Sequence, residues 1–248
     1  MRNAVLGIQS PYKAGPDPDF PYIHENVYFP FPNPKKWDDN IIAVGGNLSP
    51  GMLLSAYEQG IFPWYNPGDP VIWQSPDPRC VIFPGKLHIS SSMRKIIDSG
   101  TFTIKYDNDF IGVIRGCSEI FRPGQGEDES AGDSKKSLTW ISDDIIEAYA
   151  ELHRLGWAHS AEAWQDGKLA GGCYGILLGR VFMGDSMFAK KSNASKAAFL
   201  NLAEKLFKGG LAFIDCQVPT RHLLSLGGEE ITRKNFLKLL KMYCGSRN

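Results

Sequence analysis

The chain has 248 residues, 43% hydrophobic and 22% charged, enough for one large domain or two smaller ones with real cores. Lys plus Arg and Asp plus Glu number 27 each, which argues against a uniformly basic nucleic-acid binder and leaves only a local basic face open. The five cysteines (80, 117, 173, 216 and 244) are scattered, odd in number and without a CxxC pair. They indicate neither a zinc site nor a disulfide framework and fit a reducing compartment. Residues 1–7 hold no long apolar core and no cleavage pattern, and no stretch approaches the ~18 apolar residues of a spanning helix. A cytoplasmic protein is expected.

Residues 11–40 are rich in Pro, aromatics and Asn/Asp, and proline disfavours helix there. Ser49-Pro50 opens a short predicted helix with Leu53, Ala56 and Tyr57 on one face, ended by Gly60. Residues 60–70 and 73–79 form a Pro- and aromatic-rich loop. It is either a small aromatic core or a stacking platform for a base. From residue 80 the pattern becomes regular. A strand is expected at 80–83, a helix at 90–98, a strand at 101–106 and a helix at 109–117. Residues 121–137 are Gly, Ser, Asp, Glu and Lys, a loop by composition. Ser142 caps the next helix, with Asp143 and Asp144 in its positive first turn. Strands follow at 159–164, 169–178 and 181–188, the first two joined by the hairpin signal Asp166-Gly167. A helix capped by Asn193 or Ser195 stops at Gly209-Gly210, a strand runs over 211–217, and two helices near 219–226 and 232–243 finish the chain. The order gives an α+β layer with a mixed sheet. A small N-terminal domain over 1–78 and a larger one over 79–248 are expected.

The run Leu211-Ala212-Phe213-Ile214-Asp215-Cys216-Gln217 carries the most chemistry. Side chains alternate along a strand, so Asp215 and Gln217 share a face and Cys216 takes the other. An acid at the end of a buried strand costs free energy unless paired or used. A carboxylate beside a carboxamide suits aminolysis of an ester, but on spacing alone a strand-terminal Asp capping a turn is the plainer reading.

The larger domain resembles the acyltransferase fold of the N-acetyltransferase superfamily. There a Gly-rich loop holds the coenzyme A pyrophosphate. The matching residues, Ala189-Lys190-Lys191-Ser192-Asn193-Ala194-Ser195-Lys196, contain no glycine, which argues against coenzyme A as acyl carrier.

Further segments carry a closer resemblance: Ala43-Val44-Gly45-Gly46-Asn47-Leu48-Ser49-Pro50, Gly60-Ile61-Phe62-Pro63-Trp64, Ser75-Pro76-Asp77-Pro78-Arg79 and Thr139-Trp140-Ile141. With them stand Ala158-His159-Ser160-Ala161-Glu162-Ala163-Trp164, Gly171-Gly172-Cys173-Tyr174-Gly175, Asn193-Ala194-Ser195-Lys196 and Ile214-Asp215-Cys216-Gln217. In this order, over about residues 29–236, they resemble the bacterial leucyl/phenylalanyl-tRNA–protein transferases. The resemblance implies transfer of Leu or Phe, and less Met, from aminoacyl-tRNA to proteins beginning with Lys or Arg, marking them for degradation. No metal or coenzyme is implied, and a monomer is expected. It further implies Asp215 and Gln217 as the catalytic relay. Tyr57, Trp64, Trp140 and Tyr149 would surround the 3′-terminal adenosine. Cys173, Phe182, Leu202, Leu206 and Ile214 would line the side-chain pocket, and Asp185 would meet the acceptor's cation. Cys173 stands where the family has Met, Leu202 and Leu206 where it has aromatics, and Asp185 where it has Glu, so pocket shape and acceptor contact are altered.

Two rival functions remain at this stage: a coenzyme A-dependent N-acetyltransferase and a non-catalytic module that binds the tRNA 3′ end. Cysteine catalysis through Cys216 and His222 is a further alternative, opposed by the face that Cys216 takes.

Overall fold

The structure is a computed structural model that describes residues 12–120 and 139–245. The expected loop at 121–137 lies outside the described residues. Residues 12–40 contribute little regular structure beyond a short 3-10 turn at Pro34–Lys36. Then come β1 (Ile41–Val44), α1 (Pro50–Glu58), β2 (Phe62–Pro63) and β3 (Ile72–Gln74). These strands form a three-stranded antiparallel sheet in the order β1-β3-β2. The remaining elements are β4 (Arg79–Ile82), α2 (Ser91–Asp98), β5 (Thr103–Tyr106), α3 (Phe110–Ser118), α4 (Asp143–Arg154), β6 (Ala158–Gln165), β7 (Lys168–Leu178), β8 (Val181–Ala189), α5 (Ala194–Lys208), β9 (Phe213–Gln217), α6 (Arg221–Ser225), β10 (Glu229–Ile231) and α7 (Arg233–Tyr243).

All seven later strands join one mixed sheet, β10-β4-β9-β8-β7-β6-β5. Among its described strands only β8 and β9 are parallel neighbours, joined through α5. The α+β class with a mixed sheet is thus as expected. The small sheet and β10 were not anticipated: their strands have two to four residues, too few to show an alternating pattern.

Caps set several helix ends as the sequence implies. Ser90 Oγ accepts the Met93 N–H at 3.2 Å at the start of α2. Asp109 and Thr232 cap α3 and α7 in the same way. Ser142 precedes α4 but makes no side-chain cap bond, and neither does Asn193, which adopts a left-handed φ of 67° before α5. The Asp166-Gly167 turn has φ of 52° and 71°, the double positive pair of a tight hairpin.

Two apolar clusters fill the fold. One contains Tyr57, Trp73, Tyr149, Tyr174, Phe213 and Phe236, and so joins residues of both sheets. The other lies with α5, around Phe182, Phe199, Leu202, Ile214 and Cys216. The alternation of β9 divides between them, with Phe213 in the first cluster and Ile214 and Cys216 in the second.

The site is made where the parallel pair gives out. β8 and β9 pair only over Val181–Met183 and Phe213–Asp215. Just beyond, each strand carries one extra residue. On β8, Gly184 and Ser186 face consecutive residues of β7, leaving Asp185 as the bulge. On β9, Asp215 and Gln217 face consecutive residues of β4, leaving Cys216 as the bulge. Bulges bend a strand and re-aim its side chains. The first one requires glycine opposite: a Cβ on Gly175 would collide with the Met183 carbonyl oxygen.

Candidate functional site

A cavity of about 320 Å³ opens at the two bulges. Its walls are mostly apolar: Phe62, Trp64, Trp140, Cys173, Phe182, Met187, Phe199 and Leu223. Asp185, Gln217, Cys216, Thr220 and His222 bring polar groups to it.

Asp215 does not line this cavity. Its side chain is fully buried and held by Arg79, whose Nε donates to Oδ1 at 2.8 Å and whose Nη2 donates to Oδ2 at 2.7 Å. The pair is bidentate, the strongest geometry available to these groups. Arg79 also donates to the Gly60 carbonyl at 3.3 Å and lies over the rings of Phe62 and Phe236. Gly60, which ends α1 with φ of 75°, thus also supplies an acceptor to the buried guanidinium. Asp215 Oδ1 accepts in addition the backbone N–H of Gln217 at 2.9 Å. An aspartate that bonds the amide two residues on bends the chain locally, and Gln217 has a left-handed φ of 61°.

The even alternation expected for 215 to 217 therefore stops at Gln217. Its side chain departs from Asp215 and reaches β8, where Nε2 donates to Asp185 Oδ1 at 2.8 Å. Cys216 takes the opposite face from Asp215 but still lines the cavity, and it pairs with Cys80, which does not line it. The hydrogen bond with Cys80, and then burial, push the Cys216 thiol well above its ordinary range. It is a thiol, not a thiolate, at neutral pH.

Asp185 is the part of the polar network on β8, buried at the cavity wall. Oδ1 accepts from Gln217 and from the Tyr57 hydroxyl at 2.5 Å, while Oδ2 has no hydrogen-bond partner among the described residues. Burial drives its pKa from 3.8 to about 7, against the hydrogen bonds of Tyr57 and Gln217; Asp215 adds to the rise and Arg79 opposes it. A group poised near neutrality in a cavity is a functional-site signature.

The implied site residues separate into three sets. Trp64, Trp140, Cys173, Phe182, Asp185 and Gln217 come together in the cavity. Tyr57 and Tyr149 do not line it: both are fully buried, hydroxyl to hydroxyl at 2.5 Å, so no base can stack on them. Leu202, Leu206 and Ile214 also lie off its walls, where Met187, Phe199 and Leu223 stand instead. Leu202 and Ile214 are core residues of the α5 cluster, and Leu206 packs against it. The cavity runs toward the end of β8 and the start of α6, whereas these three side chains are taken up by packing between α5 and the sheet. In α7, Arg233 is buried and donates to the Asp39 carbonyl at 2.9 Å, leaving Lys234, Lys238 and Lys241 as its exposed cations.

Arg79, the partner of Asp215, is absent from the site residues that the resemblance implies. The signal was present: an arginine at the head of the buried strand Arg79-Cys80-Val81-Ile82 needs a counter-charge, and so does Asp215. Among the described residues no cluster of three or more His, Cys, Asp or Glu is placed to hold a metal, and no helix is long and apolar enough to cross a membrane.

An apolar cavity ended by a carboxyl and a carboxamide is the kind of pocket with which enzymes orient a small apolar substrate. Comparison with known proteins says which kind. The family model described as leucyl/phenylalanyl-tRNA protein transferase matches residues 81–241, and that of its N-terminal domain matches residues 46–77. A leucyl/phenylalanyl-tRNA–protein transferase of Syntrophobacter fumaroxidans is 48% identical over 218 residues, 88% of each chain. One of Hahella chejuensis is 45% identical over 226 residues, 91% of this chain and 92% of its own. Among solved structures, L-PGS from Bacillus licheniformis is 15% identical with a TM-score of 0.39, covering 69% of this chain and 54% of that one. A GCN5-related N-acetyltransferase from Kribbella flavida is 11% identical with a TM-score of 0.36, covering 73% and 60%. The sequence matches decide the assignment. The protein is an aminoacyltransferase that uses aminoacyl-tRNA. The chain belongs to the leucyl/phenylalanyl-tRNA–protein transferase family.

Proposed function

We propose that the protein moves Leu or Phe, and less readily Met, from the tRNA ester to the α-amine of proteins beginning with Lys or Arg, in the cytoplasm and as a monomer, marking them for degradation. The observation that carries this reading is Asp185: a carboxyl on the wall of an apolar cavity, tied to Gln217, whose second oxygen is buried with no hydrogen-bond partner among the described residues. The apolar walls suit an uncharged side chain, with Cys173, Phe182, Met187 and Phe199 in contact with it. Trp64 and Trp140 offer rings to the terminal adenosine. The free oxygen of Asp185 suits the acceptor's cation, which in turn favours the ionised carboxylate.

In the reaction the amine nitrogen bonds to the ester carbonyl carbon, the carbon–oxygen bond to the ribose breaks, and the amine proton passes to the leaving hydroxyl. The amine must be neutral to attack, and a free α-amine has a pKa near ~8. The Gln217 carboxamide is the group placed to align amine and carbonyl. Asp215, with both oxygens engaged by Arg79, acts through Gln217 by fixing its backbone, and so is a positioning residue rather than a proton acceptor at the substrate.

The test is single-turnover transfer of labelled Phe or Leu from charged tRNA to an Arg-starting peptide, with acetyl-coenzyme A as control donor. Transfer from tRNA alone is expected. Gln217→Ala should slow it roughly 100-fold, as for loss of one preorganised hydrogen-bond donor. Transfer from acetyl-coenzyme A, or full rate in Gln217→Ala, overturns the reading.

A further inference from the structure

Tyr57 comes from α1 and Tyr149 from α4, 92 residues apart in sequence, yet their hydroxyls meet at 2.5 Å and Tyr57 reaches Asp185 at the same distance. The protons on this chain can be assigned. Tyr57 has one hydroxyl hydrogen and gives it to Asp185 Oδ1, which as a carboxylate only accepts. The hydrogen between the two tyrosines must then come from Tyr149. The chain therefore runs one way, Tyr149 to Tyr57 to Asp185, and every link stabilises negative charge on the carboxylate. Burial and the neighbouring charge hold both phenols well above their ordinary pKa, so both stay protonated and able to donate.

We propose that Tyr57 and Tyr149 are positioning residues for acceptor recognition: they aim the Asp185 carboxylate and favour its charged form, and they do not contact the donor's adenosine. The inference rests on the reading that Asp185 meets the acceptor's cation. It also gives the bulge on β8 a purpose. The bulge turns Asp185 toward α1 and α4, so one oxygen is tied down while the other stays buried without a hydrogen-bond partner among the described residues, on a residue that lines the cavity. The titratable and charged groups around Asp185 are Tyr57 on α1, Tyr149 on α4, Asp215 on β9 and Arg79 on β4; Cys173, Cys216 and His222 share its cavity. Of these only the phenols and Arg79 favour its charge, together with the amide of Gln217. The remaining pressure, burial above all, is toward the neutral acid.

Tyr57→Phe keeps the ring and its packing and removes only the donor. Asp185 then ionises at higher pH, and the acceptor's cation loses its partner at neutral pH. The measurement is KM for an Arg-starting peptide against pH, with the affinity for charged tRNA followed in parallel. Tyr57→Phe should move the acid-side rise in KM up by about one pH unit or more, the size expected for one hydrogen bond to a charged group. Tyr149→Phe should move it the same way by less, because it acts one link further off. Affinity for charged tRNA should be unchanged in both. Asp185→Asn separates the two levels of the argument. If Asp185→Asn leaves KM for the peptide unaltered, the acceptor reading itself is wrong. If Asp185→Asn raises KM severalfold but neither phenylalanine variant moves the pH profile, only the positioning role is overturned. Weaker binding of charged tRNA by the phenylalanine variants, with an unmoved profile, places the tyrosines in the donor site instead.

Discussion

Two buried carboxylates lie on neighbouring strands of one sheet and have opposite fates. Asp215 on β9 has both oxygens filled by Arg79 and one shared with the Gln217 amide, and no path to the cavity. Asp185 on β8 has one oxygen held by Tyr57 and Gln217 and the other free. Burial is nearly the same, 0% and 9% exposed, so depth does not separate them. The partner does. A full cation engages both oxygens of Asp215, whereas neutral donors leave Asp185 near its titration point. Of the two acids, only Asp185 lines the cavity and keeps an oxygen without a partner among the described residues, and for that reason it is the one proposed to meet a substrate. Gln217 links them: its backbone answers to Asp215 and its side chain to Asp185.

The largest effect should come from breaking the filled pair. Arg79→Met leaves Asp215 charged, buried and alone, and should cost about 3–5 kcal/mol of stability in urea unfolding. The double variant Arg79→Met/Asp215→Leu removes both charges and should recover most of that loss, since a buried pair is often replaceable by packed apolar groups. If Arg79→Met alone costs less than about 1 kcal/mol, the pair does not carry the structural weight assigned to it.

Asp185 should behave in the opposite sense. Its folded pKa lies above the 3.8 of an ordinary aspartate. Between pH 4 and 7 the unfolded chain therefore releases a proton that the folded chain keeps, so this group makes the protein less stable as pH rises through that window, with the full penalty above about 7. Asp185→Asn keeps the shape and removes the titration. It should be more stable than the parent at pH 7.5 by about 1 kcal/mol or more, and the difference should shrink toward pH 4. A variant less stable at every pH would mean that the carboxylate is paired as tightly as Asp215.

The aromatic wall should give a smaller effect, confined to binding. Trp64→Ala and Trp140→Ala should each weaken binding of charged tRNA by roughly 1–3 kcal/mol. Trp64, half-buried beside Phe62, should lose the less stability of the two. Unchanged tRNA affinity with a large drop in Tm would make them core rings, as Tyr57 and Tyr149 are.

How much of this was legible in the sequence differs between the two carboxylates. The periodicity from residue 90 onward marks most helices and strands because those segments are amphipathic over eight or more residues. Asp215 and Gln217 stand out because polar groups at the end of an apolar run are conspicuous. What they bond to is not legible, because the partners are far away in the chain: Arg79 is 136 residues from Asp215, and Tyr57 is 128 from Asp185. The two bulges are equally silent. They shift the side-chain alternation by one residue beyond Gly184 on β8 and beyond Asp215 on β9, while Leu202 and Ile214 belong to the α5 core cluster, with Leu206 packed against it, rather than to the cavity wall. Short strands such as Glu229–Ile231 exist only because β4 offers an open edge.

The smallest expected effect is also the sharpest check on which side of β9 holds the chemistry. Cys216 sits between Asp215 and Gln217 and lines the cavity, so proximity alone makes it a candidate nucleophile. Three observations oppose that. Its side chain takes the face away from Asp215, in the cluster with α5. Its Sγ is engaged with Cys80. Its thiol is held in the protonated form by that bond and by burial, and a protonated thiol attacks an ester poorly. Acyl transfer through Cys216 would moreover add a thioester that direct aminolysis does not need. Cys216→Ala should therefore keep single-turnover transfer within about threefold of the parent, and lose only about 1 kcal/mol of stability for the atom removed from a packed wall. Abolished transfer in a Cys216→Ala protein that still folds and still binds charged tRNA, or a trapped thioester on Cys216 in the parent, would move the chemistry to the other side of the strand and make Gln217 a bystander.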